Sequence, residues 1–420
     1  MSFLVKKITI YCFIFCILIT NTHIILADDQ IDKMDIENLE KTIETASEAI
    51  EIPKINSRYA IVLDRNSKSI IYGKNELTKT KMASTTKIMT AIVVIENTNL
   101  NNIVEISGKA AGTGGSRLKI KKGDKITVHD LLYGLMLRSG NDAAVALAEY
   151  VGGSIEGFAT LMNKKAYEIG LKSTNFVTPH GLDSEEHYTT AYELAILTDY
   201  ALNNETFENI VKTKTCNINI NGYSRTISNT NELLGNLNGV YGVKTGFTNG
   251  AGRCLVTAIK RNDLDIICIV LGADTKKIRT TDSVKLIEYT FSNFMNINIR
   301  TKIEDEFKNW ENINSGRINI QKGIKNGISL KLGEYNLESY PIKKDTEEKV
   351  KINIEAKSDL IAPVKEGTKV GSLSISYDNK KIQETDILTA EEVNKKGILD
   401  YILQMSKNYN CYLEKLLTNG

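Results

Sequence analysis

Proline, histidine, tryptophan and net charge are all scarce in this chain of 420 residues. Four prolines exclude a Pro-rich scaffold, and 29 glycines without a period exclude a Gly-repeat one. Lys plus Arg number 53 against 51 Asp plus Glu, so the basic surplus that nucleic-acid binding uses is missing. Of the four histidines, His23 lies near the N-terminus, and His129, His180 and His187 are not spaced to share a metal. H-E-x-x-H is absent, so neither a metal nor another cofactor is expected. The G-x-S-x-G nucleophile elbow is absent as well. A single hydrophobic run, at the N-terminus, excludes a polytopic membrane protein.

What is present is a globular composition, 42% hydrophobic and 25% charged, in a length that suits two or three domains. Lys6 and Lys7, the apolar run Ile8–Ile19 and the small residue Ala27 before Asp28 and Asp29 read as a secretory signal over residues 1–27. Its removal leaves 51 cations against 51 anions. Cys12 and Cys16 go with it; Cys216, Cys254, Cys268 and Cys411 show no C-x-x-C spacing and read as structural thiols. Residues 28–56 are acidic and polar, with no adequate apolar face, and read as a spacer.

From Tyr59 a hairpin is expected, Tyr59–Asp64 with Ser69–Tyr72. Met82–Ile95 is apolar almost all round, the pattern of a helix buried inside a domain. Helical patterns follow over 128–137, 142–151, about 155–170 and 190–203, with a turn composition at Ser139-Gly140-Asn141. Period-two strands Cys254–Ile259 and Ile266–Leu271 then precede a helix over Thr281–Phe294. Strands at both ends with helices between them predict an α+β domain built on an antiparallel sheet, over residues 57–297. Short alternating runs predict a small all-β domain over 298–390. Ile398, Ile402, Met405, Tyr409, Leu413 and Leu416 share one face of a C-terminal helix within 391–420.

Chemistry is best sought among hydroxyls and lysines. Ser84-Thr-Thr-Lys87 opens the buried helix, and positions three apart share a helical face. The lysine amine therefore reaches the serine hydroxyl and takes its proton, provided the amine is neutral. A free lysine has a pKa near ~10.4, which desolvation and a second cation lower. The Ser84 N–H, at a helix start, faces any oxyanion formed on an attacked carbonyl. A second S-x-x-K, Ser116-Arg-Leu-Lys119, lies in a Gly- and Lys-rich loop with no apolar helix behind it and reads as a decoy. Ser139-Gly-Asn141 sits in a tight turn from which side chains reach a cleft. Lys244-Thr-Gly246 precedes the strand pair; a glycine there admits a peptide backbone, and lysine beside threonine can hold a carboxylate.

The ordered set S-x-x-K, S-x-N, K-T-G is the signature of class A β-lactamases and penicillin-binding proteins. The stretch Tyr59–Phe294 resembles the low-molecular-mass D-alanyl-D-alanine carboxypeptidases, serine peptidases of peptidoglycan. The resemblance is carried by Met82–Ala91, Leu137–Ala143, Pro179–Leu182 with His187–Ala191, and Val243–Gly246. Leu360–Gly367 resembles that family's C-terminal β domain. The resemblance implies a β-lactamase/transpeptidase-like fold and roles for particular residues. Ser84 would be the acylated nucleophile, Lys87 its general base, and Ser139 the relay of a proton to the leaving D-alanine. Asn141 would hold a substrate amide, Lys244 would support the electrostatics around Ser139, and Thr245 beside Gly246 would contact the terminal carboxylate. The N–H groups of Ser84 and Phe247 would form the oxyanion hole, and Arg279, in a loop after the second strand, would pair with the substrate carboxylate. Some relatives carry histidine where Phe247 stands. His180 and His187 read as structural.

The partners implied are stem peptides ending in D-Ala-D-Ala and the β-lactams that mimic them. The tail helix is expected to lie on the outer face of the cytoplasmic membrane, Lys395, Lys396, Lys407 and Lys415 outweighing Asp400 and Glu414. The rivals are a β-lactamase, for which Glu193 is the nearest deacylating carboxylate, and a non-catalytic penicillin-binding sensor or scaffold.

Overall fold

The computed structural model describes residues 33–46 and 51–418, with side chains in the tail to residue 410. The signal over residues 1–27 lies outside these residues. The described chain falls into two compact units, the first up to Arg65 and over Ile70–Ser292, the second Asn66–Ser69 with the chain from Asn293 onward.

In the first unit, helix α1 (Lys33–Ala46) occupies much of the expected spacer. Among its described side chains Leu39 and Ala46 are buried. The hairpin β1 (Tyr59–Asp64) and β2 (Ile70–Lys74) follows as expected. A 3-10 turn (Ala83–Thr86) leads into α2 (Lys87–Asn97). Next come β3 (Ile103–Glu105), the short α3 (Gly108–Ala111), β4 (Lys125–Thr127), α4 (Val128–Leu137), α5 (Asn141–Gly152) and α6 (Ile155–Glu168). Then α7 (Ala191–Leu202), α8 (Glu205–Val211) and the hairpin β5 (Thr215–Ile220) with β6 (Tyr223–Ser228) precede three long strands. These are β7 (Val240–Thr248), β8 (Gly252–Arg261) and β9 (Leu264–Ala273), and α9 (Lys276–Asn293) closes the unit.

Five antiparallel strands form the main sheet in the order β2-β1-β9-β8-β7. The expected α+β architecture is thus present, with Cys254 and Cys268 buried as free thiols in its central strands. Every residue of α2 from Lys87 to Val94 is buried. That explains a helix apolar on all sides: α2 packs on α4, α5, α6, α7 and α8 at once. The K-T-G triplet is not merely upstream of the strand pair but lies on β7, the edge strand, which has β8 as its one neighbour in the sheet.

The second unit is the expected small domain of β-strands, with one helix added near its start. Strand β10 (Phe294–Asn298) runs into α10 (Ile299–Asn314), whose Ile299, Ile303 and Phe307 enter the core of the unit. The remaining strands are β11 (Asn319–Gln321), β12 (Leu330–Leu332), β13 (Ser339–Lys343), β14 (Val350–Ala356), β15 (Asp359–Ile361), β16 (Lys369–Tyr377) and β17 (Lys380–Thr389). A sheet in the order β12-β17-β16-β14 is joined by the pairs β10-β13 and β11-β15. Val393 is wholly buried in this core and bridges Val364, so the tail helix α11 begins only at Ile398 (Ile398–Thr418).

Candidate active site

The entry to α2 is a sharp structure. Ala83 has φ 49°, in the left-handed region, and its carbonyl accepts the Thr86 hydroxyl at 2.8 Å. Gly181, itself at φ +84°, runs so close that a Cβ there would stand 1.9 Å from Ala83 O. His187 Nδ1 accepts the Val177 N–H at 3.1 Å, which leaves Nε2 to donate to Thr86 Oγ1 at 2.8 Å. Burial holds His187 down to about 4, although nearby Asp183 opposes it. His180 falls to about 3 through burial, then Lys87, then His187. Both rings are neutral near pH 7 and serve to fix the turn, the structural part expected of them.

On this frame Ser84 and Lys87 meet as their spacing requires. Lys87 is 0% exposed, and its Nζ lies 2.9 Å from Ser84 Oγ, 2.7 Å from Asn141 Oδ1 and 2.9 Å from the His180 carbonyl. An ammonium donates to all three. The neutral amine keeps two donors for Asn141 and His180 and turns its lone pair to the Ser84 hydroxyl. The site therefore has places for both protonation states without moving a heavy atom.

Asn141 joins the two halves of this arrangement, its Nδ2 donating to Gly114 O at 2.8 Å. It opens α5 directly after Ser139, which is 2% exposed with φ 57° in the turn from α4. The next residue is a fixture that sequence reasoning missed. Asp142, 0% exposed, accepts the N–H groups of Leu118, Lys119 and Ile120 at 2.8, 2.7 and 3.2 Å. One carboxylate thereby ties down the loop that carries the second S-x-x-K. Ser116 lies not beside a base but in the cleft wall.

Opposite stands β7. Lys244 and Thr245 are 1% and 0% exposed, and Lys244 Nζ donates to Thr245 O at 2.9 Å. Gly246 permits a close approach here, since a Cβ would sit 3.0 Å from Ser84 N, tighter than ordinary contact. The strand backbone thus passes directly against the turn that carries Ser84. Ser84, Gly115, Ser116, Asn141, Gly181, Leu182, Asp183, Phe247, Thr248 and Asn249 line an open cleft. The Arg253 guanidinium stacks 3.9 Å from the centre of the Phe247 ring.

Arg279 differs from expectation. It belongs to α9 rather than to a loop, is 0% exposed, and its Nη2 donates to Glu232 Oε1, which also accepts the Thr280 hydroxyl. Glu232 follows Thr230, whose hydroxyl lies 2.9 Å from that of Thr245, and Asn231, whose Nδ2 donates to Gly242 O at 3.0 Å. The segment Asn229–Glu232 thus braces β7 and holds Arg279. A short polar run between a strand and Leu233-Leu234 reads as ordinary loop, so its burial gives no sequence signal.

The family described as D-alanyl-D-alanine carboxypeptidase matches residues 44–275, and the penicillin-binding protein 5 C-terminal domain matches residues 313–395. The chain belongs to the D-alanyl-D-alanine carboxypeptidase family. Among relatives of this carboxypeptidase, D-alanyl-D-alanine carboxypeptidase DacF of Bacillus subtilis is 32% identical over 368 residues, covering 86% of this chain and 90% of that one. Penicillin-binding protein 5 from Haemophilus influenzae superposes with a TM-score of 0.68 at 29% identity, over 83% of this chain and 100% of the other. The Streptomyces K15 DD-transpeptidase gives 0.56 at 34%, over 58% and 100%.

Proposed function

We propose that this chain carries out its family's reaction, removal of the terminal D-alanine from peptidoglycan stem peptides ending in D-Ala-D-Ala, through an acyl-enzyme on Ser84. The observation that carries this reading is the contact of the buried Lys87 Nζ with Ser84 Oγ at 2.9 Å. Lys87 Nζ takes the hydroxyl proton as Ser84 Oγ bonds to the carbonyl carbon between the two D-alanines. The developing oxyanion is held by the N–H groups of Ser84 and Phe247, at the close approach that Gly246 permits. Collapse breaks the C–N bond; the leaving amine takes its proton by way of Ser139, and D-alanine departs. Water then hydrolyses the ester and restores Ser84. Asn141 holds a substrate amide, Lys244 sets the field around Ser139, and Thr245 receives the terminal carboxylate. Arg279 acts through this carboxylate subsite, held in place by Glu232.

β-lactams, which the family binds, acylate the same serine in this reading. A β-lactamase is disfavoured by the occupation of Glu193: its carboxylate accepts the N–H groups of Lys172 and Ser173 at 2.8 Å and the Thr174 hydroxyl at 2.5 Å. It is a loop anchor, not a poised base. The place of action is outside the cytoplasmic membrane, with residues 1–27 as export signal and α11 lying on the membrane surface. Support for the latter comes from α11 itself, whose Ile398, Leu399, Ile402, Leu403 and Met405 are all more than half exposed. No described helix is long and apolar enough to cross a membrane, so a surface position suits this one.

The test uses purified protein from residue 28 onward and its Ser84→Ala variant with diacetyl-Lys-D-Ala-D-Ala. D-Alanine release by the first and not by the second is the expected result. Release by both contradicts the assignment.

A further inference from the structure

Charge is spread unevenly around the cleft. On one side, the acidic turn is occupied internally: Asp183 accepts Thr248 Oγ1 at 2.6 Å and the Gly250 N–H at 2.9 Å, and Glu185 pairs with Lys81 at 2.7 Å. On the other side, Gly115 and Ser116 line the cleft, and the chain continues as Arg117-Leu-Lys-Ile-Lys-Lys122. Leu118 and Ile120 are buried at 0% and 4%, while Arg117, Lys119, Lys121 and Lys122 are exposed. None of these four cationic side chains makes an ion pair with a described residue.

Their backbone is fixed all the same. Asp142 takes the three N–H groups of Leu118–Ile120, Arg225 Nη1 donates to Leu118 O at 2.5 Å, and the Asn141 N–H donates to Ser116 O at 2.8 Å. The cations therefore ride on a segment held by the same helix start that presents Asn141 to the cleft. Four like charges within six residues repel one another, and an anion laid across them relieves that repulsion. In an extended peptide, a residue two or three positions before the scissile bond lies roughly 7–10 Å from the nucleophile; Arg117 begins one residue beyond the cleft wall at Ser116, and Lys119 and Lys121 three and five residues beyond it.

We infer that Arg117, Lys119 and Lys121 form an anion-binding rim that selects acidic peptides, receiving a carboxylate upstream of the scissile bond, apart from the terminal carboxylate at Thr245. The inference rests on the carboxypeptidase reading. Its test compares two synthetic pentapeptides ending in D-Ala-D-Ala, identical except that the second residue carries a free carboxylate in one and an amide in the other. The wild-type protein favours the free acid in kcat/KM by about three- to tenfold at low ionic strength, and the preference shrinks as salt is added. In the triple variant Arg117→Gln, Lys119→Gln, Lys121→Gln the ratio collapses to near one. A ratio near one in the wild type, or the wild-type ratio retained in the variant, overturns the rim. Calorimetric binding of both peptides to Ser84→Ala protein reads the same preference without turnover. Equal affinities there reject the rim whatever the chemistry, whereas peptides bound with the expected preference but never cleaved by the wild type contradict the carboxypeptidase reading alone.

Discussion

In the first unit Lys87, Lys244, Arg279, Asp142 and Glu232 are each at most 1% exposed, whereas in the second the buried polar side chains among the described residues are only Thr385 and Thr389. The second unit keeps its ion pairs at the surface, as with Lys369–Asp386 at 60% and 46% side-chain exposure and Arg300–Glu338 at 40% and 61%. Exposed pairs of this kind are worth about 0–1 kcal/mol. A buried charge is different, because it is tolerated only where hydrogen bonds replace its water. The first unit surrounds Lys87 with three acceptors and Asp142 with four backbone donors, which serves reaction rather than stability. The contrast assigns the chemistry to the first unit without reference to motif.

The strongest test of that contrast is Lys87→Met. It removes the amine but keeps the stem, and D-alanine release should fall by about 10³-fold or more, with thermal unfolding unchanged or shifted upward. A large fall in Tm would instead mean that Lys87 is mainly structural. Asp142→Ala, which frees the loop beside the cleft, should lower stability by about 2–4 kcal/mol in urea titration and slow labelling by fluorescent penicillin. Retention of full stability would remove the anchor from the account.

Acid should weaken the first unit. His187 and His180 are held down to about 4 and about 3 when folded, below an unfolded value near ~6.5. The unfolded chain therefore binds more protons between those values. Stability is full above about pH 6.5 and is lost as pH falls toward 4, by at most about 1.4 kcal/mol per pH unit for each ring. His187→Gln should flatten part of that slope in a Tm–pH series; an unaltered slope would assign it to other groups. The smallest effect belongs to the second unit, where Lys369→Ala should change stability by less than about 1 kcal/mol and leave D-alanine release untouched.

Much of the site was legible because its chemistry depends on short spacings. Ser84 and Lys87 are one helical turn apart, and the apolar run behind them announced burial. The strands from Cys254 onward were visible for a similar local reason, their alternation. What could not be read depends on partners far along the chain. Asp142 looks like an ordinary first-turn acid until residues 118–120 fold onto it, and Glu232 and Arg279 are 47 positions apart. Helix α10 carries its apolar residues at Ile299, Ile303 and Phe307 among many charges, too thin a stripe to stand out from the alternating runs that follow. The helical pattern over α1 is weak in the same way, with no adequate apolar face, although Leu39 and Ala46 are buried.

The central claim is that Ser84 with the buried Lys87, and no other hydroxyl of the cleft, performs acyl transfer. Incubation with benzylpenicillin followed by peptide mapping by mass spectrometry tests it most directly. The account predicts one penicilloyl adduct, on the peptide containing Ser84. An adduct on Ser116 or Ser139, or none at all, would contradict it.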